Sequence, residues 1–412
     1  MPPGGAASAL EAPADEAALV ARIAAAHAAG EPLAIWGNRT KASLGRPVQT
    51  AAAISTRALS GITLYSPSEL VIAARAGTPV AELEAALSAE GQHLVAEPPD
   101  LSALCGPEDG PPDGPPTIGG VVACNLSGPR RIALGAMRDH VLGVRAVNGA
   151  GEVITSGGRV LKNVTGLDLC KLLSGSRGTL AVLTEVTLKV LPAPEATATL
   201  VLRGLTAEEG VVALAAGLGS PFGVTGAAFL PDEAAEAAPA LGPGGSATIL
   251  RLEEFAEFIP YRAERLSALL ATHGVVRCLD DATSRVLWRS VRDAAPLCVS
   301  AAEGVWRLSV RPSSGPRILA SLKSWGLRCL LDWGGGLVWA TGPATESSHI
   351  AVSAAAAAAG GAFWTVRAPP SLRAALPVVP PESPSVAALT RRVKAAFDPK
   401  GILSPGRIFA GI

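Results

Sequence analysis

The sequence predicts an α+β protein folded as two domains, and three observations carry that prediction. The chain has 412 residues, more than a single ordinary hydrophobic core organises. Helical apolar spacing alternates with strand-like runs along its length. A proline-bounded step, Pro192-Ala193-Pro194, separates two stretches of different texture. The expected divisions are a flexible N-terminus over 1–14, a first domain over 15–194, a second over 195–384, and a helix and tail over 385–412.

The elements follow in order. Asp15 to Ala28 carries a helical pattern that Gly30 stops, and Pro32 to Trp36 reads as a short buried strand. A glycine-bounded loop runs from Gly37 to Gly45. Ile62 to Tyr65 and Val71 to Ala76 read as strands. Thr78-Pro79 opens a helix, with Thr78 as N-cap and proline at the first helical position, where its missing N–H costs nothing. Glu97 to Pro116 is a Pro/Asp/Gly-rich loop of the length that tends to be functional. Val121 to Leu126 reads as helical, Val141 to Val147 as a strand, Asp168 to Leu173 as a short helix, and Thr179 to Val190 as a half-buried strand of period two. Beyond the proline step come a strand at Thr199 to Leu202, helices at Ala207 to Ala216 and Tyr261 to Ala271, strands near Arg307 to Val310 and Arg328 to Leu331, and a helix at Ser347 to Ala358. A last helix spans Val386 to Phe397.

Composition excludes several functions. Lys plus Arg number 35 and Asp plus Glu number 35, with no basic stripe, so nucleic acid is not an expected partner. The apolar run Ala351 to Ala359 falls short of the roughly 20 residues a membrane span takes. The N-terminus has neither the basic nor the apolar region of a secretory signal. Six scattered cysteines, without a C-x-x-C pair, read as buried thiols of a reducing compartment rather than ligands of zinc or an iron–sulfur cluster. No P-loop, no G-x-G-x-x-G after a strand, no H-E-x-x-H and no G-x-S-x-G occurs, and the five histidines are dispersed. No metal site is expected from these patterns, and they leave the catalytic residues unidentified.

Two glycine-containing turns remain as anion holders. Gly37, Asn38, Arg39, Thr40 and Lys41 follow a strand and offer a nest of backbone N–H groups, with Thr40 and Lys41 as side-chain donors. Thr117, Ile118, Gly119 and Gly120 lead into a helix, whose N-terminus favours phosphate. Glycine at 119 and 120 would allow close approach of a ligand or a positive φ. Glycine turns are more often simply turns, so neither decides function alone.

The segment that follows is more specific. Met137-Arg138-Asp139, Lys162-Asn163-Val164, Gly166-Leu167-Asp168-Leu169 and Gly175-Ser176-Arg177-Gly178-Thr179-Leu180, within Thr117 to Pro194, resemble the FAD-binding domain of vanillyl-alcohol-oxidase-type flavoproteins. More narrowly they resemble the FAD-binding subunits of bacterial glycolate oxidases. Asp398-Pro399 and Ser404-Pro405-Gly406-Arg407 resemble the tail of the same family. The resemblance implies a PCMH-type FAD-binding domain of two α+β subdomains, followed by a smaller α+β cap domain, with the C-terminal helix and tail returning to the first domain. It implies that Gly37 to Lys41 and Thr117 to Gly120 hold the pyrophosphate, that Pro99 and Asp100 lie near the ribityl chain or ring, that Asn125 and Gly128 approach the flavin, and that Leu183 presents backbone to the adenine side. Arg138-Asp139 reads equally as a salt bridge or a cofactor-side pair, and Gly175 to Thr179 as a helix cap and turn whatever else it does. Leu167 stands where the family often has Tyr, and Ser404 where Asn is usual, a change expected only to alter a turn.

The first nest holds no His or Cys, so the FAD is expected to be noncovalent. The implied activity is FAD-dependent oxidation of a small 2-hydroxy acid such as glycolate. It would be exercised with a larger FAD-linked oxidase subunit and an iron–sulfur subunit, in the cytoplasm or at the inner membrane through those partners. Arg307 and Arg367 are possible carboxylate holders, although most arginines of such a domain are surface residues. Two other readings stay open: a structural FAD in a scaffold subunit, and an independent flavin oxidoreductase.

Overall fold

The computed structural model describes residues 10–50, 52–158 and 167–412. Lys162, Asn163, Val164 and Gly166 lie outside the described residues. The chain forms two compact units: one comprises 1–126, 136–192 and 381–412, the other 127–135 and 193–380. The short segment 127–135 therefore belongs with the second unit, although the sequence placed it in the first domain.

In the first unit, Asp15 caps the helix Glu16–Ala29 by accepting from Ala18 N at 2.8 Å, and Gly30 ends it at φ +66°. Leu19, Ile23 and Ala26 bury the face that this spacing predicts. The strands Leu10–Glu11, Ala52–Ser55 and Leu33–Trp36 form a parallel sheet, in that order. Within the stretch expected to be flexible, Leu10–Glu11 is a paired strand, and Arg22 ties it down by bridging Glu11 and Glu31. An antiparallel sheet runs Ile62–Ser66, Val71–Arg75, Ala181–Lys189, Val141–Asn148, Val153–Gly157. Thr78 does not cap the helix Val80–Ala89. Its hydroxyl donates to Arg75 O at 2.7 Å and accepts from Gly61 N, so it closes the turn before the helix instead.

The second unit is built on the largest sheet, eight antiparallel strands in the order Val276–Leu279, Ala196–Arg203, Ala247–Glu254, Val224–Leu230, Arg328–Asp332, Leu337–Pro343, Glu303–Ser309, Ala362–Arg367. Helices Ala207–Leu218, Ile259–Leu270, Gly315–Lys323 and Glu346–Ala358 pack on it around Leu214, Leu250, Leu266, Trp306 and Val352. Cys105, Cys124, Cys170 and Cys329 are buried as expected, but Cys278 and Cys298 are exposed. Among the described residues, no helix is long and apolar enough to cross a membrane.

The C-terminal segment closes the first unit through a buried charge pair. From the helix Pro384–Phe397, Lys394 Nζ donates to Asp398 Oδ2 at 2.7 Å, Thr179 O at 2.6 Å and Leu403 O at 2.9 Å. Asp398, 1% exposed, accepts in turn from Ile402 N and Leu403 N. Removing one member of a buried pair leaves an uncompensated charge, which typically costs about 3–5 kcal/mol. Asp398→Ala is therefore expected to lower the unfolding free energy by that amount, read as a lower denaturant midpoint, and Lys394→Met/Asp398→Leu to lower the midpoint by less than Asp398→Ala alone. Equal midpoints for wild type and Asp398→Ala would show that the pair does not hold the tail.

Candidate functional site

The strand Leu33–Trp36 runs into the loop 37–41. A Cβ at Gly37 would sit 2.5 Å from Thr117 Oγ1, so only glycine lets the chain pass there. Arg39 then takes a left-handed φ of +52°. The backbone N–H groups of Asn38, Arg39, Thr40 and Lys41 donate to no acceptor among the described residues. Successive unsatisfied amides in a tight loop are the makings of an anion nest.

The second turn behaves differently. Thr117 caps the short helix Ile118–Ala123 by accepting from Gly120 N at 3.3 Å. Ile118 N donates to Thr78 O at 2.9 Å, and Gly119 N to Ala76 O at 2.8 Å. The three amides expected at a phosphate are thus spent on the protein itself. Neither Gly119 nor Gly120 has a positive φ, contrary to one of the two roles expected of them. Gly119 serves packing: a Cβ there would lie 2.6 Å from Ala76 Cβ and 2.7 Å from Ala76 O. At Gly120 a Cβ meets only side chains, Thr117 Oγ1 at 3.2 Å and Lys41 Cε at 3.4 Å.

A cavity of about 80 Å³ opens here. Of the expected site residues, Gly37, Asn38, Arg39, Thr40, Lys41, Thr117, Gly119, Gly120 and Leu183 line it. Ile118 is buried behind the lining. Pro99 and Asp100 do not reach it; Asp100 Oδ1 instead accepts from Ser102 N and Oγ and starts a short helix. Asn125, at φ +48°, also lies outside the lining, its Oδ1 accepting from Arg138 N at 3.0 Å. Gly128 belongs to the second unit, where its carbonyl accepts from Trp333 Nε1 at 3.1 Å. Arg138 and Asp139 form an exposed contact of 3.8 Å, the salt-bridge alternative in its weak form. Leu167 is 82% exposed.

Sequence reasoning missed the cations around this cavity other than Lys41. Arg177 is buried in its wall at φ +54°, inside the turn Gly175 to Thr179. Arg407, also buried, lies 4.1 Å above the Trp36 ring and donates to Lys41 O at 3.2 Å. Lys41 Nζ donates to Thr40 Oγ1 at 2.9 Å. Burial pushes the pKa of both Lys41 and Arg177 below its ordinary value. Arg39 turns its side chain away, pairing with Asp113 at 2.8 Å and with Asp109, so only its backbone belongs to the nest. The unsatisfied amides of Asn38 to Lys41, with buried cations beside them, suit an anion in the cavity. A diphosphate fits that donor set.

Comparison with known proteins shows the family. Residues 7–157 match the FAD binding domain family, and residues 382–408 match the C-terminal domain of FAD linked oxidases. The glycolate oxidase subunit GlcE of Escherichia coli is 33% identical over 386 residues, 92% of this chain and 93% of that one. Shorter likenesses reach the D-lactate dehydrogenase of Archaeoglobus fulgidus, 45% over 76 residues (18% of this chain, 17% of that one), and the glycolate oxidase subunit GlcD of Bacillus subtilis, 40% over 94 residues (23% and 20%). The solved structure of an alkyldihydroxyacetonephosphate synthase shares the fold, with a TM-score of 0.68 at 15% identity over 96% of this chain and 75% of that one.

Variants of the cavity should separate folding from cofactor binding. With the Lys41 pKa lowered by burial, the folded state binds fewer protons than the unfolded state between the lowered and ordinary values. Stability of the cofactor-free chain then rises with pH through that window, and Lys41→Met should flatten the rise. The same change should raise the cofactor-free melting temperature while weakening FAD binding about tenfold. Gly120→Val should lower the FAD content of folded protein, whereas Gly119→Val should cost stability first. Melting curves, read beside flavin absorbance per chain, check each direction. With both ends matched and a relative aligned over nearly its whole length, this chain belongs to the FAD-linked oxidase family.

Proposed function

We propose that this chain is the FAD-binding subunit of a glycolate, or closely related 2-hydroxy acid, oxidase complex. It holds FAD noncovalently in the cavity around Gly37 to Lys41 and works with a larger FAD-linked oxidase subunit and an iron–sulfur subunit. The likeness to GlcE across 92% of the chain carries this reading. The nest and its buried cations support the cofactor half of it. When bound, FAD would supply the electron-accepting ring. The residues of this chain would fix the diphosphate through the amides of Asn38 to Lys41, neutralise it with Lys41, Arg177 and Arg407, and exclude water with Trp36 and Leu183.

The second unit offers little for proton removal. A general base works best with a pKa near the operating pH and with access to its substrate. His349 lacks the access: it is buried, accepts from Trp306 Nε1 at 3.4 Å and packs edge-on to Phe363 at 5.6 Å, and burial pushes its pKa down. His273 sits half-exposed in the turn after the helix Ile259–Leu270. Among the described residues, no group of three or more His, Cys, Asp or Glu side chains is placed to hold a metal. Substrate oxidation thus falls to the assembled complex rather than to this chain alone.

The FAD-loaded chain is expected to stay oxidised when mixed with glycolate or D-lactate, and its flavin to be reduced by glycolate in the assembled complex. Rapid bleaching of the isolated chain would refute the division of labour. A flavin in the complex that never changes redox state would make this FAD a structural element. Acid or heat should release all the FAD, and Cys124→Ala, which removes a thiol from the cavity wall, should leave FAD content unchanged. Flavin retained on the denatured polypeptide would overturn noncovalent binding.

A further inference from the structure

The second unit contains a cationic stack that plays no part in the FAD cavity. Arg307, on the strand Glu303–Ser309, places its guanidinium carbon 4.7 Å from the centre of the Trp333 ring and 5.5 Å from that of Trp339. Arg131 lies 4.5 Å from the same Trp333 ring. Both tryptophans are buried. Arg131 is held in place by its neighbours. Arg130 forms a 2.6 Å ion pair with Glu253, and Gly128 O accepts from Trp333 Nε1. Burial works against ionisation of Glu253, but Arg251 and Arg130 more than offset it and hold its pKa at about 2. The segment carrying Arg131 is thereby pinned at any ordinary pH.

Stacking on indole uses the faces of a guanidinium and leaves its in-plane N–H donors to find acceptors at the edge. Among the described residues, the Arg307 guanidinium donates no hydrogen bond and enters no ion pair. Asp332, the acid that acts on it electrostatically, already accepts from Trp333 N at 2.6 Å. Arg367, also on this sheet, shows the contrast: its Nε and Nη2 are satisfied by Glu303 O at 3.0 and 2.8 Å. Arg307 is half-buried, so a small ligand has access to it. Desolvation, and then repulsion from Arg131, push its pKa down to about 10, which still leaves it charged at neutral pH.

We propose that Arg307, assisted by Arg131 and backed by Trp333 and Trp339, anchors a small carboxylate in the second unit. A guanidinium fork matches the two oxygens of a carboxylate, and rigid aromatic walls preserve its orientation. That the carboxylate belongs to a 2-hydroxy acid rests on the proposed function; the anion site itself does not.

The test uses the full FAD-loaded chain and its intrinsic tryptophan fluorescence. Glycolate and non-oxidisable oxalate should each give a saturable change, and neutral glycolamide none. Arg307→Met should weaken both acids about tenfold or more, and Arg131→Met by a smaller factor, with melting temperature and FAD content unchanged. Arg307→Lys keeps the charge and loses the fork, so it should bind weakly; it carries the test if Arg307→Met melts early. Unchanged affinity in the Arg307 variants, an equal response to glycolamide, or no saturable response to either acid overturns the proposal. Carboxylate binding in an assembled complex that does not oxidise glycolate or a related 2-hydroxy acid would sink the proposed function and leave this site standing.

Discussion

The first unit depends on the buried pair Lys394–Asp398. One ammonium satisfies three oxygens from three parts of the chain, and one carboxylate fixes the amides that start the tail. The consequence reaches the cavity. With the tail held, Leu403 bridges to Leu33 in parallel fashion, and Ser404 Oγ accepts from Ile35 N at 3.1 Å. The strand Leu33–Trp36 is thereby flanked by the tail, and Arg407 is delivered onto Trp36, the last residue before the nest. A side chain near the end of the sequence completes a site begun near its start because one charge pair makes any other course of the tail costly. Ser404 also proves to be more than a turn variant. It adopts φ +42°, is fully buried, and its hydroxyl supplies an acceptor that the strand needs.

How much of this was legible in the sequence follows from the range of each interaction. Helix Glu16–Ala29 was legible because cap, apolar spacing and terminal glycine are all local. Ala247–Glu254 and Leu337–Pro343 were not, because both are central strands buried on nearly every residue, so neither shows period two. The helix Asp281–Arg292 was missed despite a local signal: Asp280 caps it, and Ser284, Leu287, Trp288 and Val291 face inward at helical spacing.

The cavity divides in the same way. Gly37 to Lys41 could be read as a nest because loop conformation is local, and its amides are indeed left over. Thr117 to Gly120 has the same outward marks, but its amides are taken by its own cap and by Thr78 and Ala76, and no pattern within four residues can announce the last two. Lys41, Arg177 and Arg407 are separated by well over a hundred residues each, and only the folded chain makes them neighbours. Segment 127–135 is the sharpest case. It follows the cavity helix directly in sequence, yet Arg130 and Gly128 commit it to the other unit, and with it Gly128, once expected beside the flavin.

Both units handle surplus positive charge, and they do so differently. In the first, cations are buried beside amides with no acceptor of their own, an arrangement that is stable chiefly when an anion of fixed shape is present; ligand binding then contributes to folding by mass action. In the second, Arg307 is half-buried and spends its faces on indole, and desolvation pushes its pKa down to about 10 while its donor edge makes no hydrogen bond among the described residues. A tightly held cofactor suits the first arrangement and an exchanging small acid the second. On the two proposals above, a resident anion and a passing one would meet different environments in the same chain. Neither cation cluster includes a histidine, in keeping with the proposal that this chain binds the cofactor and the assembled complex carries out the chemistry.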